Sequence, residues 1–431
     1  MKSKRKFYLA LVIFSLVGQI AWVVENMYLN VFIYEMFGAS PSQISAMISA
    51  SAVTATVTTL LLGALSDRVG KRKAFMCGGY LLWGVSILGF ALVNTGTVGK
   101  LFPTATAVTA VCVTLVIVLD CLMTFFGSTA NDACFNAWLT DMTDAGSRGR
   151  AEGINAMMPL VAILCVFGGF MSFDLSLSQS WTVIFCVIGA AVLVIGVLGL
   201  FIIEEPKLES GENKHYFANI IYGFRPSVVK ANGRLYLYLL GFALFGISIQ
   251  IFMPYLILYY TEALKMENYV FVMAPAIVLA SVFTVFWGRT YDRLGFVRSV
   301  LPSLGLLFGG YLLLFFFRHT ALVFLGSLAM MCGYLSGAAV FGAVIRDRTP
   351  ENKAGMFQGL RIVAQVLIPG VIGPAIGAFV LRNAETVVGN DGMEVFVPNE
   401  NVFLAALLAG LLLLAYLGTV AFLTERKKSA E

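Results

Sequence analysis

Twelve apolar runs, each long enough to cross a lipid bilayer, leave this chain little choice of fold. They fall near 7–33, 42–64, 74–94, 106–140, 152–173, 181–203, 235–260, 269–288, 298–317, 320–345, 355–381 and 402–424. Runs of about 18 or more apolar residues read as membrane-spanning helices, because hydrocarbon offers no partner for an open backbone. Only 12% of the 431 residues are charged, against about a quarter in a soluble domain. The reading is an all-α membrane protein whose direct partner is the lipid bilayer. The first run opens with a basic MKSKRK, as a signal peptide does, but its apolar stretch continues to residue 33 and is kept as a span. The fourth run exceeds one crossing of about 20 residues, so it tilts or extends past the bilayer.

Charge sets the orientation. Of the 29 Lys and Arg, 25 share a side if the N-terminus is cytoplasmic, and only Lys100, Lys265, Arg318 and Arg382 fall on the other. Cytoplasmic loops carry the excess of Lys and Arg, so both termini are expected in the cytoplasm. The net charge of +5 then reports topology and gives no reason to expect nucleic acid. The longest inside segment, 204–234, divides the spans six and six. The expected domains are an N-terminal bundle (1–203), a linker (204–234) and a C-terminal bundle with a short tail (235–431).

Several function classes fall away. The seven cysteines sit inside apolar runs without metal-ligand or redox spacing. The two histidines, His215 and His319, fall in expected loops. No glycine-rich phosphate loop and no nucleophile–base set is present, so no enzyme, metal or cofactor is expected and energy must come from gradients. The absence of an N-x-S/T sequence fits a prokaryotic plasma membrane.

The two halves repeat. YLNVFIYE (28–35) matches YLILYYTE (255–262), GALSDRVGK (63–71) matches GRTYDRLGF (288–296), and DMTDAGSRGRAEGI (141–154) matches DRTPENKAGMFQGL (347–360), in the same order. Six spans separate the copies, which gives them the same membrane orientation. Parallel six-helix repeats place a solute path near the bilayer midplane.

The segment Gly63 to Lys73, between spans two and three, resembles the loop motif of the major facilitator superfamily, and Gly288 to Gly295 resembles its second copy. The resemblance covers the whole chain. It implies a gate in which Asp67, Arg68, Gly70 and Lys71, with Asp292, Arg293 and Gly295, latch the cytoplasmic side. Gly70 permits the turn, and the basic run suits cytoplasm and anionic lipid. Within that superfamily, NDACFNAWLTDMTDAGSRGR (131–150) is similar to the fourth-helix region of the glycoside–pentoside–hexuronide:cation symporters, the melibiose permease group. There an aspartate matching Asp132 helps hold the sugar, and an acidic residue of span one falls at Gln19. The paired cation-binding aspartates of that group fall near Ala55 and Thr59, its span-five arginine near Ala156–Met157, and its span-eleven lysine near Leu367. The resemblance therefore implies fold and ancestry more than sodium–sugar chemistry.

The residues that would do the work follow from polarity inside spans. In span one, Gln19, Trp22, Asn26 and Asn30 form one stripe at about 100° per residue, with Glu25 at its border. Span four carries Asp120, Thr124, Ser128, Asn131 and Asp132, with Asn136 following. No basic residue stands mid-span to neutralise these acids, so at least one is expected to hold a proton or a cation. In the second half, Gln250, Tyr255 and Gln365 offer amide and hydroxyl groups beside aromatic faces, a set suited to a neutral hydroxylated solute. Tyr259, Tyr260 and Trp287 are expected as interfacial anchors, and Arg361 as a gate near the cytoplasmic mouth.

The expectation is a monomeric secondary transporter moving a small polar solute, a sugar or glycoside, by alternating access coupled to a cation, proton ahead of sodium. Proton-coupled export of amphipathic compounds and lipid handling are the alternatives.

Overall fold

Ser40 and Pro41 show how the sequence starts a helix. Ser40 Oγ accepts from the Gln43 backbone N–H, the Gln43 side chain accepts from the Ser40 N–H, and Pro41 occupies the first turn. This capping box satisfies two backbone donors that a helix start leaves open. Gly38, at φ +59°, ends the preceding helix in the left-handed region that glycine adopts without penalty.

The computed structural model describes residues 2–105, 107–144, 147–205, 222–266, 268–350, 354–388 and 394–428. Most of the expected linker, 206–221, lies outside the described residues, as does the side chain of Asp67. Among the described residues, eleven helices are long and apolar enough to cross a membrane. They are α1 (Arg5–Phe37), α2 (Pro41–Gly63), α3 (Arg72–Phe90), α4 (Val108–Asp141), α5 (Arg148–Phe170), α6 (Ser178–Ile202), α7 (Gly233–Ala263), α8 (Val270–Phe316), α9 (Thr320–Arg348), α10 (Gly359–Leu381) and α11 (Asn401–Thr419). Two short strands, Thr386–Val388 and Glu394–Phe396, pair ahead of α11.

The expected runs 269–288 and 298–317 share α8. This 47-residue helix is interrupted only at Gly295, where φ +76° and ψ −177° leave helical space. At about 1.5 Å per residue, 47 residues would extend about 70 Å if straight, against a hydrocarbon core of about 30 Å. Gly295 supplies the corner because an L side chain rarely takes that φ.

The chain forms two compact units, Met1–Tyr216 with Val387–Val395 and Phe217–Thr386 with Phe396–Glu431. In the first, α3 and α6 meet along a glycine seam. A Cβ on Gly84 would stand 2.7 Å from the Leu193 backbone nitrogen, and one on Gly196 would stand 2.9 Å from that of Leu81. Such contacts bring helix backbones together, which substitutes for the missing hydrophobic drive between helices in lipid. The outer faces are apolar and open, as at Val85, Val187 and Phe201, which suits acyl chains.

The interiors of the two units differ in chemistry. The first buries Glu25, Asn30, Asp120 and Asn131 among hydroxyls. The buried polar side chains of the second, among the described residues, are serines and tyrosines, most of them joined to one another or to backbone, while Ser299 Oγ is buried without a partner. Tyr260 Oη lies 2.6 Å from Ser327 Oγ, Ser336 donates to Ser303 at 2.8 Å, and Tyr259 donates to the Leu314 carbonyl at 3.1 Å. Tyr259 and Tyr260 are thus fully buried rather than interfacial anchors. Hydroxyls facing hydrocarbon would lack partners, and these two found partners on α8 and α9.

Candidate functional site

Two π-helical turns position the acids of the first unit. One covers Val24–Tyr28 in α1 and contains Glu25; the other covers Ser128–Phe135 in α4 and contains Asn131 and Asp132. A π turn inserts one extra residue into the helix, so side chains beyond it rotate off the regular stripe. The expected stripe of α1 accordingly splits. Gln19 and Trp22 are half-buried, Asn26 is exposed and Asn30 is buried. Asn26 donates its amide to the Trp22 carbonyl at 2.8 Å.

Glu25 points into its own bundle and is 7% exposed. Its Oε1 accepts from Ser51 Oγ of α2 and from Thr124 Oγ1 of α4, both at 2.9 Å. The two hydroxyls lie 2.7 Å from each other. Asp120, one turn before Thr124, is 2% exposed and interacts with the same Ser51 hydroxyl. Glu25 Oε2 and Asp120 Oδ1 are both buried with no hydrogen-bond partner. Three helices therefore converge on two carboxyls and two hydroxyls. Neither Ser51 nor its bridging role was visible in the sequence, because a serine in an alanine- and threonine-rich span carries no signal of its own.

Trp22 packs against a second tryptophan. Its ring lies 5.1 Å from that of Trp83, and both rings crowd Gly127, one turn beyond Thr124. Both indole N–H groups are buried and unpartnered.

Asp132 stands apart, half-buried, and accepts from Ser128 Oγ at 3.0 Å. Its backbone carbonyl takes the Asn136 amide at 3.0 Å, leaving Asn136 exposed. Asn131 turns inward instead. It donates to Tyr80 Oη at 2.8 Å, and Tyr80 donates to the Phe14 carbonyl at 2.7 Å. That chain of bonds ties α4 to α3 and α1.

In the second unit, Gln250 is half-buried on α7 and packs against Gly373 of α10. Tyr255 is fully buried, with Phe396 edge-on at 6.2 Å. Gln365 is exposed within a π-helical turn, Val363–Leu367, and Arg361 is half-buried near Arg346. Trp287 donates to the Ser299 carbonyl at 3.1 Å.

At the loop motif the helix of α2 continues past Gly63 to Val69 and Gly70 closes it at φ +68°, while Arg68 and Lys71 are exposed. The anchored residue is Arg72. Its Nε meets Asp141 Oδ2 at 2.9 Å and its Nη1 donates to Ser66 Oγ at 2.6 Å. In the second copy Asp292 and Arg293 are exposed, and Tyr291 donates to Asp347 at 2.5 Å. Ser66 and Tyr291 occupy matching positions in the two copies of the loop motif, and Asp141 and Asp347 in those of the D-x-T motif.

Comparison with known proteins agrees with this architecture. No curated protein sequence matches the chain. Among solved structures, the chain resembles a variant of the nucleoside transporter NupG (TM-score 0.73, 14% identity, 95% of this chain and 98% of that one). It also resembles a D-xylose-proton symporter (0.72, 15%, 96% of each chain). A third is a bacterial homolog of the human lysosomal transporter Spinster, inward-facing (0.68, 14%, 95% and 96%). At these identities the likeness concerns the fold. The family model for the Major Facilitator Superfamily matches residues 7–374, and the chain belongs to that superfamily of membrane transporters.

Proposed function

We propose that this protein moves a small polar solute by alternating access, driven by a cation gradient, and that the cation is the proton. The buried acid cluster of the first unit carries the proposal. Glu25 and Asp120 are influenced by hydroxyls and by neighbouring carboxyls, Asp132 stands apart from them on α4, and no basic side chain among the described residues acts on the three. Ionised carboxylates cannot remain together in a dry interior, so the cluster must load a cation to be stable. Solute binding near Asp132, Asn136 and Asn26, whose polar groups are partly open, is coupled to that loading.

The solute is a sugar or glycoside. The span-four segment, similar to that of the melibiose permease group, supports this reading, as do the similar structures named for xylose and nucleosides, both of which carry a pentose. With Gly295 as a corner, α8 makes two crossings, which gives twelve in all and puts both termini on the cytoplasmic side of a prokaryotic plasma membrane. The bundles 1–203 and 235–431 then rock about the linker 204–234 in a monomer, and the loops holding Gly70 and Gly295 act as gates.

Charge movement on a solid-supported membrane carrying the purified protein tests the proposal. Concentration jumps of mono- and disaccharides should evoke a current that varies with pH and ignores sodium. Silence across the panel from folded protein would overturn the sugar reading and favour export or lipid substrates.

A further inference from the structure

The chain enters α7 through a short surface segment whose two sides differ in chemistry. Tyr222–Phe224 makes one tight helical turn and Pro226–Ala231 a short helix, directly ahead of the span that starts at Gly233. Val228 and Leu235 are buried and hold the inner side to the second unit. Tyr236 donates its hydroxyl to the Gly223 carbonyl, and the Tyr222 ring meets Phe357 edge-on at 6.1 Å. The segment is pinned to its own bundle by these contacts.

Its outer side carries Phe224 and Val229, 45% and 37% exposed, together with the exposed Arg225, Lys230 and Arg234. The Arg225 guanidinium lies over the Tyr222 ring at 5.8 Å. No acidic residue occurs between 222 and 261, and among the described residues no ion pair engages these three cations. One turn beyond Arg234, Tyr238 packs edge-on against Phe296 at 4.9 Å. That contact brings the exposed Arg298, two residues past Phe296, to the same end of the unit.

Cations and open apolar groups are thus interleaved where α7 meets the membrane surface. A soluble anion would satisfy the cations and leave Phe224 and Val229 in water. A phospholipid answers both needs, with phosphate at the level of the cations and acyl chains beside the apolar groups. Several cations without an acid select a lipid of net negative charge over a zwitterionic one, whose own ammonium would meet the arginines.

We propose that residues 222–234, with Arg298, form a docking surface for an anionic phospholipid of the leaflet at which α7 begins. That this leaflet is the cytoplasmic one rests on the topology proposed above; the lipid preference itself does not.

Native mass spectrometry of the purified full chain, titrated with phosphatidylglycerol or phosphatidylcholine, provides the test. The wild type should hold phosphatidylglycerol at least about tenfold more tightly, with the preference shrinking as salt rises. The triple variant Arg225→Gln, Lys230→Gln, Arg234→Gln should lose that preference. Arg225→Lys with Arg234→Lys should keep it, which separates lost charge from lost fold. Phe224→Ser with Val229→Ser should weaken phosphatidylglycerol binding at unchanged charge. Equal retention of the two lipids, a triple variant that binds like the wild type, or displacement of the lipid by glycerol phosphate alone would overturn the proposal. Labelling of Lys230 by an impermeant amine reagent in sealed, oriented vesicles reads the side separately. A phosphatidylglycerol preference with Lys230 on the external side would retain the docking surface and reject the proposed topology.

Discussion

Arg72 and Asp141 clasp the ends of α3 and α4 with a 2.9 Å ion pair in which the arginine side chain is 6% exposed and the aspartate 22%. The two positions come from different motifs, 69 residues apart, so the pair converts two sequence signatures into one structural joint. Replacing Asp141 by Asn leaves the buried guanidinium without that charge and should cost about 3 kcal/mol. Arg72→Gln should cost less, because Asp141 reaches water. Thermal unfolding in detergent, followed by intrinsic fluorescence, would rank the two.

Glu25→Gln should abolish uphill accumulation, by at least about tenfold given that the variant cannot exchange a proton, while solute counterflow persists. Uptake in proteoliposomes with and without a pH gradient separates the two activities. Uphill uptake that survives in both Glu25→Gln and Asp132→Asn would remove these residues as coupling sites.

The α3–α6 seam should discriminate between glycines in one helix. Gly84→Ala forces a Cβ against the Leu193 backbone and should destabilise by about 1–3 kcal/mol, as overpacking does. Gly78→Ala, where nothing lies within 4 Å, should be neutral or stabilise by up to about 1 kcal/mol through helix propensity. Melting temperatures of the pair measured side by side provide the check.

Tyr80 is a structural tie and should behave as one. Tyr80→Phe removes the hydroxyl that accepts from Asn131 and donates to Phe14, stranding both partners. A loss of about 1–3 kcal/mol is expected, with the ranking of solutes unchanged. A changed ranking in the electrophysiological panel would instead place Tyr80 at the binding site.

Much of the fold was legible because the bilayer simplifies the problem. Long apolar runs, Gly38 with Ser40-Pro41, and the basic loops each encode one constraint. The corner at Gly295 was harder to read. The segment Arg289 to Arg298 looks like a loop by polarity, yet all but one of its residues stay helical. Polarity locates where the chain meets water, whereas continuity of a helix depends on φ and ψ. The acids were visible as acids, but their directions were not. The 100° stripe placed Glu25 at a border and grouped Asn26 with Asn30; a π turn at Val24–Tyr28 breaks that spacing, and no residue type announces such a turn. Likewise Asp120 read only as one of the polar residues of span four, and only the fold brings it beside Thr124 and Ser51.

Among the described residues no basic side chain acts on the buried acids, and this has an electrical consequence. Under the proposed coupling, whatever the resting charge of the cluster, a carrier that has released its cation holds one more negative charge than one that has bound it, and no basic side chain among the described residues acts on the cluster to offset it. Moving that charge through the field amounts to about 2.3 kcal/mol per 100 mV for a full crossing. Membrane voltage would therefore act on the loaded and empty strokes unequally, giving the cycle a preferred direction even when the solute is balanced across the membrane.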